Sequence, residues 1–269
     1  MGWITARRRR PVAGYTVVLL GLILVGAIYA VITGGGESSA STTPSASRAQ
    51  ILKGQQIFQQ TCATCHGLEA QGTAAAPSLI GVGSAAVDFQ VSTGRMPAKE
   101  ISAEHSGGPR QLNQSQTRDV AEYIASLAGG PAIPTPAEVS TSGANAGLGQ
   151  QLFIADCAQC HNFDGAGGAL TDGKYAPALT NATPTQIYEA MLTGPYAMPV
   201  FNNTTITPAQ KRDIIAYVVN TRATPNPGGF GLGRIGPVTE GLVAFLGLLF
   251  FMVLVAMWIT AKHRKTADE

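Results

Sequence analysis

The chain contains Cys62-Ala63-Thr64-Cys65-His66 and, further along, Cys157-Ala158-Gln159-Cys160-His161, which are two copies of one pattern. Together the copies use all four cysteines and two of the four histidines of the chain. C-x-x-C-H is the attachment pattern of c-type haem, in which two thiols add to the porphyrin vinyl groups and the imidazole binds the iron. Two copies with no cysteine left over therefore predict two covalently bound haem c groups.

Other uses of paired cysteines fit this spacing less well. A zinc site built from two C-x-x-C pairs needs them about 15–20 residues apart, whereas Cys65 and Cys157 are 92 positions apart. Thioredoxin-like redox chemistry needs a βαβ setting, which neither copy has. Structural disulfides are an alternative in an exported protein, but they do not require a histidine after each pair.

Composition and charge indicate membrane segments. Charged residues make up only 13% of the chain, and the net charge is +2. Basic residues cluster near the two ends, at Arg7–Arg10 and at Lys262-His263-Arg264-Lys265, so the middle of the chain is close to neutral. A near-neutral middle gives no surface for nucleic acid, which excludes that class of partner.

Two apolar runs lie next to these basic clusters. Val12–Ile32 and Gly241–Ala261 are each 21 residues without a charge, and a helix of that length spans roughly 31 Å, the thickness of a hydrocarbon core. Basic flanks stay on the cytoplasmic side, so a multi-pass protein of the cell membrane is predicted, with both termini cytoplasmic. The first run is also compatible with a cleaved signal sequence, with Ser38-Ser39-Ala40 as the cleavage site.

The similarity between the two copies extends well beyond the cysteines. The matched segments contain a glycine and a phenylalanine before the pattern, a proline after it, a Thr-Gly…Met-Pro segment and a tyrosine in a later helix. The pairs are Gly54–Phe58 with Gly149–Phe153, Pro77-x-Leu79 with Pro177-x-Leu179, Thr93–Pro97 with Thr193–Pro199, and Tyr123 with Tyr217. A duplicated domain follows from this repeat.

At these positions the chain resembles the class I cytochrome c fold, present twice. The resemblance implies an all-α protein with two tandem class I domains, plus one N-terminal and one C-terminal transmembrane helix. In each domain a first helix ends at C-x-x-C-H, a loop carries a methionine ligand, and a last helix crosses the first. The glycine and phenylalanine of the first helix are then expected to pack against the tyrosine of the last.

Composition divides the predicted protein into segments. These are a transmembrane anchor or signal sequence at 1–33, a flexible linker at 34–48, a first cytochrome c domain at 49–128, a semi-stiff linker at 129–147, a second cytochrome c domain at 148–222, a juxtamembrane linker at 223–237, a transmembrane helix at 238–261 and a cytoplasmic tail at 262–269. The chain is long enough for two such domains.

Methionine is the expected second axial ligand, because Met/His ligation is common in cytochromes c. Met252 and Met257 lie in the second apolar run, and Met191 lies in a predicted amphipathic helix with Ile187. The other candidates follow Thr-Gly and precede proline, which cannot continue a helix, so each lies in a loop that can fold over the haem. The predicted iron ligands are His66, Met96, His161 and Met198.

The resemblance further implies that the carbonyl groups of Pro77 and Pro177 orient the two ligand imidazoles. With both axial positions filled, neither iron is expected to bind a substrate. Because no triad or pair of carboxylates can be placed near either haem, no catalytic residue is predicted and one-electron transfer is the expected chemistry. The segment Lys99–Arg110 has no counterpart in the second copy and is the predicted contact for a partner.

Along its full length the chain resembles the dihaem cytochrome c subunit of the actinobacterial cytochrome bcc complex. The resemblance implies an electron-transfer subunit of a proton-translocating menaquinol–cytochrome c reductase, with a cytochrome b subunit as partner. In that family the subunit accepts electrons from the Rieske iron–sulfur protein and passes them to the copper centre of a haem–copper oxidase. Two alternatives stay open, a free-standing membrane-anchored dihaem carrier and the cytochrome c subunit of a membrane dehydrogenase.

Overall fold

The computed structural model describes residues 11–33, 46–98, 107–224 and 237–267. The basic residues Arg7–Arg10 and most of the segment Lys99–Arg110 lie outside the described residues, and so do the predictions made for them. The chain divides after Ser45 into two units, Met1–Ser45 and Ala46–Glu269. Each unit is described by itself below.

The described residues are mainly helical, as predicted. The first unit contains α1 (Pro11–Thr33). The second unit contains α2 (Arg48–Thr61), α3 (Ala63–His66), α4 (Gly83–Ser92), α5 (Gln114–Leu127), α6 (Pro136–Val139), α7 (Ala146–Asp156), α8 (Ala158–His161), α9 (Pro184–Thr193), α10 (Pro208–Ala223) and α11 (Pro237–Ala267). Two strands, β1 (Gly168–Ala169) and β2 (Tyr175–Ala176), pair antiparallel.

The small hairpin of β1 and β2 is an addition to the predicted all-α fold. It lies between His161 and Pro177, which are 16 residues apart, whereas His66 and Pro77 are 11 apart. The extra residues of the second copy therefore form a short insertion beside the repeated fold.

Two helices carry the apolar runs. In α11 the stretch Thr239–Ala261 is 23 residues long and apolar enough to cross a membrane, and it alone meets that criterion among the described residues. In α1 the side chains that the structure describes are those of Gly14–Ala27, an apolar part of the run Val12–Ile32. The apolar side chains described in both helices are largely exposed.

Short capping motifs in the sequence mark where helices of the second unit begin. Thr207 and Gln210 form a capping box at the start of α10, and Pro208 occupies the first turn, where its missing N–H costs nothing. Asn113 and Gln116 form the same box at the start of α5. These helices therefore begin where the sequence supplies partners for the free N–H groups of a first turn.

Two pairs of helices cross at close range, α2 with α5 and α7 with α10. A Cβ atom at Gly54 would overlap the backbone carbonyl of Asp119, and a Cβ atom at Gly149 would overlap that of Asp213. Glycine is thus required at both crossings because the backbone of the partner helix occupies the space of a side chain.

An aromatic pair lies beside each crossing. The ring centroids of Phe58 and Tyr123 are 5.4 Å apart with the planes tilted by 51°, and those of Phe153 and Tyr217 are 5.3 Å apart with a tilt of 53°. Each phenylalanine is almost completely buried in its own hydrophobic cluster. The predicted packing of glycine and phenylalanine against tyrosine is confirmed in both copies.

The two copies also contact each other within the second unit, through α4 of the first and α9 of the second. The segment that joins the two copies packs against both of them: Ile133 contacts the hydrophobic cluster of the first copy and Val139 contacts that of the second. Arg212 of α10 donates hydrogen bonds to the carbonyl oxygens of Ser140 and Ser142. The segment between the copies is therefore held along its length rather than acting as a free spacer.

Candidate haem sites

The first C-x-x-C-H pattern occupies a turn of helix that follows α2 directly. The N–H of Cys62 donates to the carbonyl of Phe58 over 2.8 Å, and the N–H of His66 donates to the carbonyl of Cys62 over 3.0 Å. This bonding continues the helix through the pattern, with a change of direction at Cys62. Cys62, Cys65 and His66 therefore lie within about one turn, at positions i, i+3 and i+4.

The second pattern has the same local geometry. The N–H of Cys157 donates to the carbonyl of Phe153 over 2.8 Å, and the N–H of His161 donates to the carbonyl of Cys157 over 3.0 Å. Cys160 is exposed and Cys157 is buried. Two sites with the same arrangement of thiols and imidazole thus arise from two separate stretches of sequence.

Each histidine is oriented by a proline carbonyl. His66 Nδ1 lies 2.8 Å from the carbonyl oxygen of Pro77, and His161 Nδ1 lies 2.9 Å from that of Pro177. Because a carbonyl only accepts, Nδ1 carries the proton and Nε2 keeps its lone pair for a metal. Burial lowers the pKa of His161, although the hydrogen bond to Pro177 opposes that shift, and the neutral form is the one that binds iron.

Both predicted methionines lie in loops after a short helix. Met96 follows α4, and its N–H donates to the carbonyl of Gln90 over 2.9 Å. Met198 follows α9, which ends at Gly194 with a left-handed backbone at φ 57°. Both side chains are half-buried, and each packs against the same cluster as the first cysteine of its copy. Met191, by contrast, is 2% exposed within α9 and belongs to the core.

The first thiol of each pattern has a raised pKa, which is the wrong direction for redox catalysis. Burial raises the pKa of Cys62, and burial together with Asp156 and Cys160 raises the pKa of Cys157 to about 12. Catalytic cysteines of the thioredoxin type have lowered pKa values, because the thiolate is the reactive form. All four cysteines lie among the described residues and none is in a disulfide. Two thiols, an oriented imidazole and a thioether in each copy fit a covalently bound haem c.

Sequence reasoning missed the residues that join the two copies. Gln186 Nε2 of α9 donates to Ser92 Oγ of α4 over 3.2 Å, and the hydroxyl of Tyr196 donates to Gln90 Oε1 over 3.2 Å. These partners are 94 and 106 residues apart. No local period links residues at such distances, so only the folded chain reveals the contact. It brings the segments around the two methionine loops together.

Two family models match the chain. The model for cytochrome c matches residues 51–128. The model described as cytochrome c oxidase, cbb3-type, subunit III matches residues 144–218. Each match covers one copy of the repeat.

Similar proteins extend these matches to nearly the whole chain. A cytochrome bc1 complex cytochrome c subunit of Corynebacterium efficiens is 39% identical over 94% of this chain and 90% of its own. One of Mycobacterium bovis is 40% identical over 95% of this chain and 93% of its own. A cbb3-type cytochrome c oxidase subunit CcoP of Cereibacter sphaeroides is 29% identical over 61% of this chain and 59% of its own. The chain therefore belongs to the family of cytochrome c subunits of the cytochrome bc1 complex.

Proposed function

We propose that the chain is the dihaem electron-transfer subunit of a respiratory quinol–cytochrome c reductase. The observation that supports two haems is the duplicated donor set: in each copy a C-x-x-C-H pattern with an oriented imidazole is combined with a methionine that packs in the same hydrophobic cluster as the first cysteine. A bound haem c supplies a one-electron Fe(III)/Fe(II) couple. The protein then binds, orients and shields that couple.

The roles of the residues follow from their chemistry. Cys62, Cys65, Cys157 and Cys160 would hold the two haems through thioether bonds. His66 and His161 would bind the two irons through Nε2, and Met96 and Met198 would supply the second ligands. The carbonyl groups of Pro77 and Pro177 hold the imidazole rings in place, which fixes the tautomer and increases the basicity of the ligand nitrogen.

The partners follow from the family. Membership of a cytochrome bc1 complex implies assembly with a cytochrome b subunit and a Rieske iron–sulfur subunit, from which this chain accepts electrons one at a time. The similarity to a cbb3-type cytochrome c oxidase subunit supports delivery to a terminal oxidase, and the family resemblance places the entry point at the copper centre of a haem–copper oxidase. Tethering both copies in one chain makes the transfer intramolecular and independent of diffusion.

The topology is part of the proposal. Helix α11 spans the membrane, and Lys262-His263-Arg264-Lys265 after its apolar stretch keep the C-terminus in the cytoplasm. Helix α1 is the second anchor, with Arg7–Arg10 on the cytoplasmic side. The cytochrome c domains, residues 49–128 and 148–222, then lie on the extracytoplasmic side, where haem c is attached.

Affinity purification of the tagged full chain from detergent-solubilised membranes tests this function. We expect a cytochrome b and an iron–sulfur protein to copurify, and about two haems per chain in a pyridine haemochrome assay, one for each C-x-x-C-H pattern. The double variant Cys62→Ala, Cys65→Ala should retain about one haem, because the second site has its own thiols.

Either part of this experiment can fail separately. Two haems without a cytochrome b partner would favour a free-standing carrier or a dehydrogenase subunit. A double variant that still holds two haems would exclude Cys62 and Cys65 as attachment sites.

A further inference from the structure

A buried carboxyl group lies at the contact between the two copies. Glu189 of α9 is 0% exposed, and no N–H or hydroxyl group of the described residues donates a hydrogen bond to its carboxyl oxygens. An ionised carboxylate in this position would be desolvated at a cost of several kcal/mol. The side chain is used by neither predicted haem site.

The neighbouring carboxyl group belongs to the other copy. Asp88, half-buried on α4, lies close enough to affect the ionisation of Glu189 by charge and by hydrogen bonding. Burial first, and then Asp88, raises the pKa of Glu189 to about 10. A protonated Glu189 removes the repulsion between two carboxylates and supplies a donor for Asp88.

Cations near α9 are engaged elsewhere. The Lys211 ammonium of α10 donates to the carbonyl of Ile206 and to Asn203, and Arg222 donates to carbonyl groups of the segment 179–182. Besides Asp88 on α4, the titratable and charged groups of the elements packed against α9 are Glu138 of α6 and Lys211, Arg212, Asp213, Tyr217 and Arg222 of α10. None of the basic ones is among the causes that set the pKa of Glu189.

We propose that Glu189 carries a proton beside Asp88 at the contact between the two copies, and that the copies take up this proton when they dock. In separated copies Glu189 would face water and ionise near its ordinary pKa of 4.5. The docked state has the raised pKa, so the contact is strongest below about pH 4.5 and weakens as the pH rises towards 10. Each pH unit in this window changes the docking equilibrium by up to about tenfold.

This proton affects the position of the methionine loops. Tyr196, which precedes Met198 by two residues, bonds to Gln90 beside the Met96 loop, and this contact adjoins the carboxyl pair on α4 and α9. Provided that both copies hold haem as proposed above, a low pH outside the membrane would keep the two haems at a fixed distance and orientation. The carboxyl pair itself does not depend on the presence of haem.

Infrared difference spectroscopy of the purified full chain tests the proton directly. At about pH 7.5, the spectrum of the wild type minus that of Glu189→Gln should show the carbonyl stretch of a protonated carboxylic acid, because the raised pKa keeps Glu189 neutral there. Glutamine keeps the volume and the neutral charge, so the contact should survive the substitution. Absence of the band would overturn the proposal.

Hydrogen exchange of the backbone amides of α4 and α9, measured between about pH 5.5 and about pH 8.5, tests whether docking of the two copies is coupled to this proton. After correction for intrinsic exchange, opening of the contact in the wild type should increase with pH by up to about tenfold per unit, and in Glu189→Gln it should not. Asp172→Asn is the control, because Asp172 is exposed and asparagine tolerates its left-handed backbone at φ 57°. Equal slopes in the wild type and Glu189→Gln would contradict the proposal, whatever the haem count.

Discussion

At the scale of the residue, backbone carbonyl groups determine which ring nitrogen of each candidate histidine ligand carries the proton. The carbonyl groups of Pro77 and Pro177 accept from Nδ1 of the two histidines, which leaves Nε2 free on each ring. Burial raises the pKa of the Cys62 and Cys157 thiols. The thiols are the proposed attachment points, and the proposed axial ligands would control the chemistry of the iron.

Replacing the second ligand tests this division of roles. Met198→His should keep a six-coordinate iron but lower its midpoint potential, because imidazole stabilises the ferric state more than a thioether does. The charge-transfer band of Met-ligated ferric haem should weaken by about half, since one of two proposed sites changes. A redox titration followed by optical spectroscopy measures both effects.

Met191→Leu is the matched control for this substitution. Met191 is buried in α9, and leucine conserves its volume, so the band and the potentials should stay as in the wild type. An unchanged band in Met198→His would exclude Met198 as a ligand.

At the scale of the element, the helix crossings set the shape of each copy. At Gly149 the backbone of Asp213 occupies the position of a side chain, so α7 and α10 approach as closely as their main chains allow. The ring of Phe153 then meets that of Tyr217 beside the crossing. The short distance between these helices depends on the absence of one Cβ atom.

Gly149→Ala should force α7 and α10 apart and lower the free energy of unfolding by about 1–3 kcal/mol, the usual cost of overpacking. Thermal unfolding followed by circular dichroism measures the loss. Gly147→Ala, two residues away on the same helix, is the control, because its Cβ would meet only Asn145 Oδ1 at 3.4 Å. Equal stability of the two variants would show that the crossing tolerates a side chain.

At the scale of the whole molecule, α11 raises the question of why a chain with an N-terminal apolar run has a second apolar helix. Its described side chains expose an apolar surface along Thr239–Ala261. With α1 as the proposed first anchor, a second anchor would add little, so docking against other subunits is the expected use of α11. Gly241 and Gly247 are small residues of the kind that permit close approach between helices in a membrane.

Ending the chain before Pro237 should leave haem attachment intact, because every proposed ligand precedes that residue. Quinol-driven oxygen consumption by membranes should nevertheless collapse, since the haem domains would no longer be held in the complex. A chain that ends after Ala267, with α11 complete, is the control. Normal respiration and copurification of the shorter chain with cytochrome b would mean that α11 is only an anchor.

Much of the fold and of the candidate sites could be predicted because their signals are local or repeated. The five residues of the C-x-x-C-H pattern are enough to predict haem attachment. The repeat predicts which helices cross and which methionines lie in the loops. Gly54 and Phe58, packed against Tyr123, were predictable from the same resemblance. The hairpin of β1 and β2 was not, because nothing in the first copy corresponds to it.

The sequence by itself determined the donor sets, because thiol, imidazole and thioether chemistry depends on residue type and short spacing. Only the tertiary structure decided how the two copies meet. Glu189 lies on the face of α9 opposite Ile187 and Met191, where helical periodicity predicts solvent. It is buried because α4, about 100 residues earlier in the chain, covers that face. Docking between distant segments depends on the sum of many long-range contacts, which no local pattern encodes.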